Sequence, residues 1–320
     1  MTSSARLNRR QVLQHLAALP AATSLALSAC GGSDEEPAFD GYEYKARYAE
    51  IPQGRMHYVD EGSGTPVVML HGVPTWSYLW RNIFPQVAAT HRAIAPDMLN
   101  HGKSSKSTGL GFMDHYRSFG QFVAAMRLNR MVLALHDWGS PIGFLYAARH
   151  PDKVKGLNFL EAALGPAPSE DALPAPIQAM RSPAGFDLVV KQNFFIETLL
   201  PQTIPNLSPA AFAAYKAPFA REEDRLQLLQ WPREVAVVGD GTANLPLFAE
   251  YAQFLATTSL PKLLIHATPG FVITPEAVQF ARASYQNLST SSVGAGFHFL
   301  QEDQPTAVGL AMSQWLQAQA

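Results

Sequence analysis

The chain has 320 residues, 47% hydrophobic and 16% charged, with 24 basic residues against 26 acidic ones and a single cysteine, Cys30. That apolar content can fill a sizeable core and excludes wholesale disorder, and a nearly neutral chain without a long basic run excludes a nucleic-acid binder. One cysteine excludes an internal disulfide framework and a multi-cysteine zinc site.

In chain order, residues 1–29 come first. They carry Arg6, Arg9 and Arg10, no acidic residue, and the apolar runs Leu16–Leu19 and Leu25–Leu27. This charge-then-apolar layout is that of an export signal, too short and interrupted to span a membrane permanently. Asn8-Arg9-Arg10-Gln11-Val12-Leu13 resembles a twin-arginine export motif, and Leu27-Ser28-Ala29-Cys30 resembles a lipobox, in which Cys30 is lipidated. Residues 30–43, beginning with Gly31, Gly32 and Ser33, read as a flexible tether. The expectation is a periplasmic or cell-surface lipoprotein held to the membrane by its lipid, with a mildly acidic body.

From Tyr44 onward short apolar runs alternate with helical patterns, which predicts an α/β fold with a mostly parallel sheet. Arg55–Asp60 and Pro66–Leu70 read as a hairpin turned through Glu61-Gly62-Ser63-Gly64. Further strands are expected at Arg92–Pro96, Met131–His136, Leu157–Glu161 and Lys262–His266. A last strand, Leu288–Val293, is placed mainly by its order, because its interior is only Ser and Thr. The alternation breaks over 164–231, read as an inserted helical cap, leaving 44–163 and 232–320 as the core. Functional residues in such sheets belong at the carboxyl ends of the strands.

At one such end Met131–His136 runs into Asp137-Trp138-Gly139-Ser140 and then a helical stretch, the context of a nucleophile elbow. Asp at the apex matters: a carboxylate is already ionised and can attack a saturated carbon, leaving an alkyl ester on the protein. The competing reading of Asp137 is a helix N-cap. A base is then needed near the C-terminus, where Gly294-Ala295-Gly296-Phe297-His298 supplies His298 on a small-residue loop. The bland histidines include His150, ending a helix, and His115, read on a polar helix face. The third member is an acid to orient that base. Residues 267–275 contain none, so Glu161, at a neighbouring strand end, is chosen by elimination.

With those residues in hand, the chain resembles the haloalkane dehalogenases of the α/β-hydrolase fold. The resemblance rests on the segments His71–Asn82, His136–Phe144, Gln192–Glu197, Pro261–Leu264 with Thr268–Gly270, and His298–Asp303, and it extends from about Gly41 to Leu316. It implies a small apolar halogenated substrate, water as the second reactant, halide as a product, and neither metal nor cofactor. It implies that Asp137 displaces halide and that His298 with Glu161 activates water to hydrolyse the ester. The backbone N–H groups of Val73 and Trp138 would form the oxyanion hole, and the Trp138 indole would bind halide. Phe194, Phe195, Leu199, Phe271, Val272 and Phe299 are the pocket-lining candidates.

One departure stands out. This branch of the family usually has a halide-binding Asn where this sequence has Val73, and another branch draws an indole from the cap, yet no Trp occurs between Leu164 and Gln230. Trp76 is read as core. Two other functions compete. An epoxide hydrolase would use the same three residues but normally needs two cap tyrosines, and this cap has only Tyr215. A weakly active or non-catalytic relative is the other, suggested by Val73.

Overall fold

The computed structural model describes residues 39–165, 167–239 and 241–319; the export segment and Cys30 lie outside the described residues. One eight-stranded sheet organises them, in the order β1-β2-β4-β3-β5-β6-β7-β8. The strands are β1 (Arg47–Ile51), β2 (Gly54–Gly62), β3 (Pro66–Leu70), β4 (Arg92–Pro96), β5 (Met131–His136), β6 (Val154–Leu160), β7 (Lys262–Pro269) and β8 (Leu288–Gly296). β2 is antiparallel to both β1 and β4, and every other pairing is parallel.

Strand alternation sends neighbouring side chains to opposite faces. Val67, Met69, Val132, Ala134, Leu263 and Ile265 enter one core, while Val68, Leu70, Leu133, Leu135, Phe159 and Leu264 enter the other. Each such buried Val, Leu, Ile, Met or Phe side chain contributes roughly 1.5–3 kcal/mol, so a one-residue slip of register, which would exchange the two sets, is strongly opposed. Helices α2 (Phe112–Ala125) and α3 (Gly139–Arg149) cover the second of these faces. Helix α1 (Phe84–Ala88) and the C-terminal helix Pro305–Ala318 cover the first.

Between β6 and β7 the chain leaves the sheet. It forms α4 (Ala175–Arg181), two π-helical turns (Asp187–Lys191 and Phe195–Leu199), α5 (Leu200–Thr203), α6 (Pro209–Lys216), α7 (Glu222–Glu234) and α8 (Leu245–Thr257). After β7 come α9 (Pro275–Ser284), then, past β8, α10 (Leu300–Asp303) and α11 (Pro305–Ala318).

Four expectations are corrected. No hairpin joins β2 to β3: β2 pairs with β1 through the turn at Pro52-Gln53, and β4 lies between β2 and β3. The reason is visible in β3 itself, where Val67–Leu70 is buried on both faces, as a central parallel strand requires. The cap boundary at 231/232 falls inside α7, because Pro232 sits in its last turn, where the ring costs one intrahelical bond without ending the helix. The tether does not extend to 43. Tyr42 is buried with its hydroxyl 2.5 Å from Ser77 Oγ, and Phe39 packs edge-on against Trp76, so these aromatics belong to the body. Finally, His115 is buried against Trp231 instead of lying on a polar face.

Candidate active site

Parallel register builds the site. His136 at the end of β5 is level with Leu160 at the end of β6, so Asp137 and Glu161 emerge side by side. Both leave their strands in the left-handed region, with φ of 47° and 45°, a conformation that non-glycine residues adopt only where the surroundings enforce it. At the elbow that enforcement is steric. A Cβ on Gly139 would stand 2.6 Å from Leu70 O, and one on Gly72 would stand 2.3 Å from Asp137 Cβ. The Asp137 carbonyl is held by Ser140, whose backbone N–H donates at 2.8 Å and whose hydroxyl donates at 2.5 Å.

Three side chains then line up. His298 Nε2 lies 3.5 Å from Asp137 Oδ2, and His298 Nδ1 lies 3.2 Å from Glu161 Oε2. The His298 loop is anchored from below, where His136 Nε2–H donates to the His298 carbonyl at 3.0 Å. Asp137 remains 20% exposed while Glu161 is wholly buried, so a small molecule reaches the first and not the second. Val73 N–H donates to Asp137 Oδ1 at 2.8 Å.

A buried carboxylate must be fully hydrogen-bonded. Glu161 achieves this with backbone N–H groups that residue types do not advertise: Phe271 at 3.1 Å and Val272 at 2.7 Å on Oε2, and Ile273 at 3.3 Å on Oε1. The loop closes this tightly because Gly270 sits at φ 66°, where a Cβ would meet Ile273 O at 2.1 Å. The acid-free segment after β7 is thus the cradle for the acid on β6. The glycine following Pro269 was its one sequence signal.

Electrostatics follow from this geometry. Burial works to lower the His298 pKa, but the hydrogen bonds and charges of Asp137 and Glu161 outweigh it and push it up to about 9. Burial works to raise the Asp137 pKa, and the His298 hydrogen bond and charge more than reverse this, leaving it below the usual carboxylate range. Resting Asp137 and His298 are therefore an ion pair. His136, by contrast, is pushed down to about 3 by burial and the nearby His298, so it stays neutral.

Trp138 is half-buried at the start of α3, its ring 4.8 Å from that of Trp231 and 6.2 Å from that of Phe112. Trp231, which follows Gln230, is only 1% exposed, and its Nε1 is buried without a partner among the described residues. Trp76 is core, donating from Nε1 to Ala214 O at 3.1 Å. Among the pocket-lining candidates, Phe194, Leu199, Phe271 and Val272 keep partial exposure, and the Phe271 ring meets His298 edge-on at 5.4 Å. Phe195 and Phe299 are buried, at 8% and 3% exposure, and the Phe299 ring meets that of His298 edge-on at 4.7 Å. A broad surface hollow of ≈ 800 Å³ beside Arg181 and Arg233 includes none of the site residues. Among the described residues no group of three or more His, Cys, Asp or Glu is placed to hold a metal.

A strand–Asp–helix elbow served by a histidine from the last strand's loop and an acid from the neighbouring strand defines an α/β-hydrolase, and a family profile described as "alpha/beta hydrolase fold" matches residues 65–198. The chain belongs to the haloalkane dehalogenase family. It is 38% identical over 283 residues to a haloalkane dehalogenase of Sphingobium indicum, a match covering 84% of this chain and 94% of that one. It is 37% identical to one of Mesorhizobium japonicum, covering 84% and 90%. Among solved structures it is similar to the haloalkane dehalogenase DbeA from Bradyrhizobium elkani, with a TM-score of 0.83 at 32% identity, covering 87% of this chain and 99% of that one.

Proposed function

We propose that this chain hydrolyses haloalkanes to alcohol, halide and a proton through a covalent alkyl ester on Asp137. The observation that carries the reading is the elbow itself: its apex bears an ionised carboxylate, accessible from outside and 3.5 Å from a histidine base. In the first step an Asp137 oxygen bonds to the substrate carbon as the carbon–halogen bond breaks, and halide leaves with the electron pair toward the Trp138 indole N–H. In the second, His298, having given its resting proton to solvent once Asp137 is esterified, takes a proton from water at Nε2 as the water oxygen bonds to Asp137 Cγ. The backbone N–H groups of Val73 and Trp138 hold the oxyanion, and Glu161 steadies the imidazolium. Collapse breaks the bond from Cγ to the alkyl oxygen. The alcohol leaves with the proton from His298, and Asp137 passes its own proton to His298, which restores the resting ion pair.

Val73 offers halide no side-chain donor, so the donor at the elbow is the Trp138 indole, without the partner that an Asn at position 73 would supply. A hydrogen bond to a charged group is worth roughly 1.5–3 kcal/mol, a factor of about 10–100 in rate. Bromides and iodides, which need less help to leave, are therefore the preferred substrates over chlorides. An epoxide would need a proton donor for its oxygen. The two tyrosines between β6 and β7 do not offer one, since Tyr215 donates to Glu302 and Tyr251 donates to Ala163 O.

Halide and acid release from matched 1-bromo- and 1-chloroalkanes, together with diol formation from the 1,2-epoxyalkane, tests the reading, with Asp137→Asn as the control. Bromide release by the wild type and none by the variant is expected. Failure to release halide from any haloalkane refutes it. The reading extends to location, where the Arg9-Arg10 motif and the Leu27–Cys30 segment support an exported lipoprotein anchored through Cys30. Fatty-acid labelling of the expressed protein, lost in Cys30→Ser, checks that step.

A further inference from the structure

Three segments converge in a buried knot away from the reacting atoms. From the cap comes Tyr215 on α6, wholly buried. From the loop that carries His298 comes Glu302 on α10, and from the segment that follows Val73 comes Arg81. Tyr215 donates its hydroxyl to Glu302 Oε1, and Arg81 grips the same carboxylate with two nitrogens, Nη2 reaching Oε2 at 2.9 Å. The Arg81 and Glu302 side chains are 9% and 8% exposed, so the pair is shielded from solvent screening. Arg81 is itself fixed, donating to Tyr78 O at 3.2 Å and lying 4.0 Å over the Tyr78 ring, which in turn meets the Tyr215 ring edge-on at 5.3 Å. A second strut runs beside it, from Trp76 Nε1 to Ala214 O at 3.1 Å. The other end of the His298 loop is pinned where Phe297 N–H donates to Asp303 Oδ2 at 3.0 Å.

A bidentate Arg–carboxylate pair fixes orientation as well as distance, and a buried one holds only while its oxygens are satisfied. Burial and the charge of Glu302 push the Tyr215 hydroxyl well above its ordinary range, so it remains a donor at every working pH.

We propose that Tyr215, Glu302 and Arg81 form a latch that makes cap docking a condition for correct placement of His298 over Asp137. The three are positioning residues, and their effect belongs to ester hydrolysis. Asp137 is placed by β5 and its own elbow, with the Val73 N–H on Oδ1 as its one direct link to the latched segments, so halide displacement depends on the latch less than ester hydrolysis does. Both groups that the latch joins, His298 and the Val73 N–H, act in the second step. The inference rests on the dehalogenase reading.

The test is rapid mixing of 1-bromohexane with wild-type enzyme and with Tyr215→Phe and Glu302→Gln, following bromide and, after acid quench, the intact protein mass. The amplitude of the bromide burst counts competent sites, so rates are compared per site whatever fraction of a variant folds. The expected result is a burst close to the wild-type rate, a following steady rate lowered roughly 10-fold, and accumulation of the hexyl-protein adduct. A merely structural loss would reduce the burst amplitude without building up adduct. A steady rate per site equal to wild type overturns the latch, and so does equal slowing of the burst and the steady phase. A wild type that releases no bromide overturns the dehalogenase reading beneath it.

Discussion

Replacing Glu161 by glutamine keeps the shape of the side chain and removes its charge, and the surrounding donors dictate how the amide must sit. Oε2 now takes three donors, from Phe271 N–H, Val272 N–H and His298 Nδ1, while Oε1 takes only Ile273 N–H. The amide oxygen therefore occupies the Oε2 position, and its NH2 group is left facing the Ile273 N–H. Leaving that pair of buried donors unmatched costs about 1–3 kcal/mol of stability. The catalytic cost is separate. In hydrolysis His298 becomes an imidazolium, and its partner changes from a charged acceptor, worth about 1.5–3 kcal/mol, to a neutral one, worth about 0.5–1.5 kcal/mol. The difference, about 1–2 kcal/mol, corresponds to a roughly 5- to 30-fold slower second step.

The first step, which uses neither His298 nor Glu161, should keep its rate. Stopped-flow bromide release should thus show an intact burst followed by a slow steady phase, with the alkyl-protein detected by mass. An unchanged steady rate would remove Glu161 from the catalytic set. Loss of the burst in the same proportion would show that the acid supports Asp137, and the assignment of roles above would be wrong.

Three other outcomes are expected. Val73→Asn should raise the rate on chlorides about 10-fold or more and on bromides less, read as the ratio of kcat/KM for matched chloro- and bromoalkanes; an unchanged ratio sinks the halide argument. Asp137→Asn should lower the His298 pKa from about 9, visible in an NMR titration of its ring. Because the folded pKa of His298 is raised from 6.5, the stabilisation from its ion pair is complete below that value and is lost as pH rises through about 9. The Asp137 pKa is depressed from 3.8, so its share is present above that value and lost on acidification below it. The difference in melting temperature between wild type and Asp137→Asn should therefore be largest from about pH 4 to 6.5 and fade in alkali. Gly139→Ala should lower the melting temperature and abolish turnover, since its Cβ would force Leu70 O, at 2.6 Å, to move; a fully active variant would show that the elbow tolerates a side chain.

Much of this site could be read from residue types, and the unread part has a common cause. The ends of β4 and β5 were predicted to the residue, because Arg92–Pro96 and Met131–His136 are bounded by polar residues and glycine-bearing turns. Asp137 and His298 were legible because their chemistry is specific to their side chains. The cradle of Glu161 was not, since backbone N–H groups belong to every non-proline residue and leave no signature in composition. The order of strands was misread at β2 because local turn residues cannot report that β4 inserts between β2 and β3. The burial of His115 against Trp231 is not legible either, because long-range packing sets it. The joining of Tyr215 to Glu302 across 87 positions has no local trace at all.

The placement of the acid on β6 has a consequence for timing. In the resting protein His298 carries a proton held by two anions, and at about 9 its pKa is too high for a base at neutral pH. Alkylation of Asp137 removes one of those anions, and with it both the hydrogen bond and the charge that Asp137 contributed. Burial, which acts to lower the pKa, then faces Glu161 alone. The proton is released when the ester forms, and His298 becomes a base at the stage when a base is needed. Glu161 keeps its place in this second role because its oxygens are held by the backbone N–H groups of Phe271, Val272 and Ile273, none of which takes part in the displacement. It follows that the ester form should hydrolyse with an apparent pKa below that of resting His298. Single-turnover hydrolysis of the alkyl-enzyme, followed against pH, measures that value directly. A midpoint at or above about 9 would contradict the mechanism, because His298 would then remain protonated after Asp137 had lost its charge.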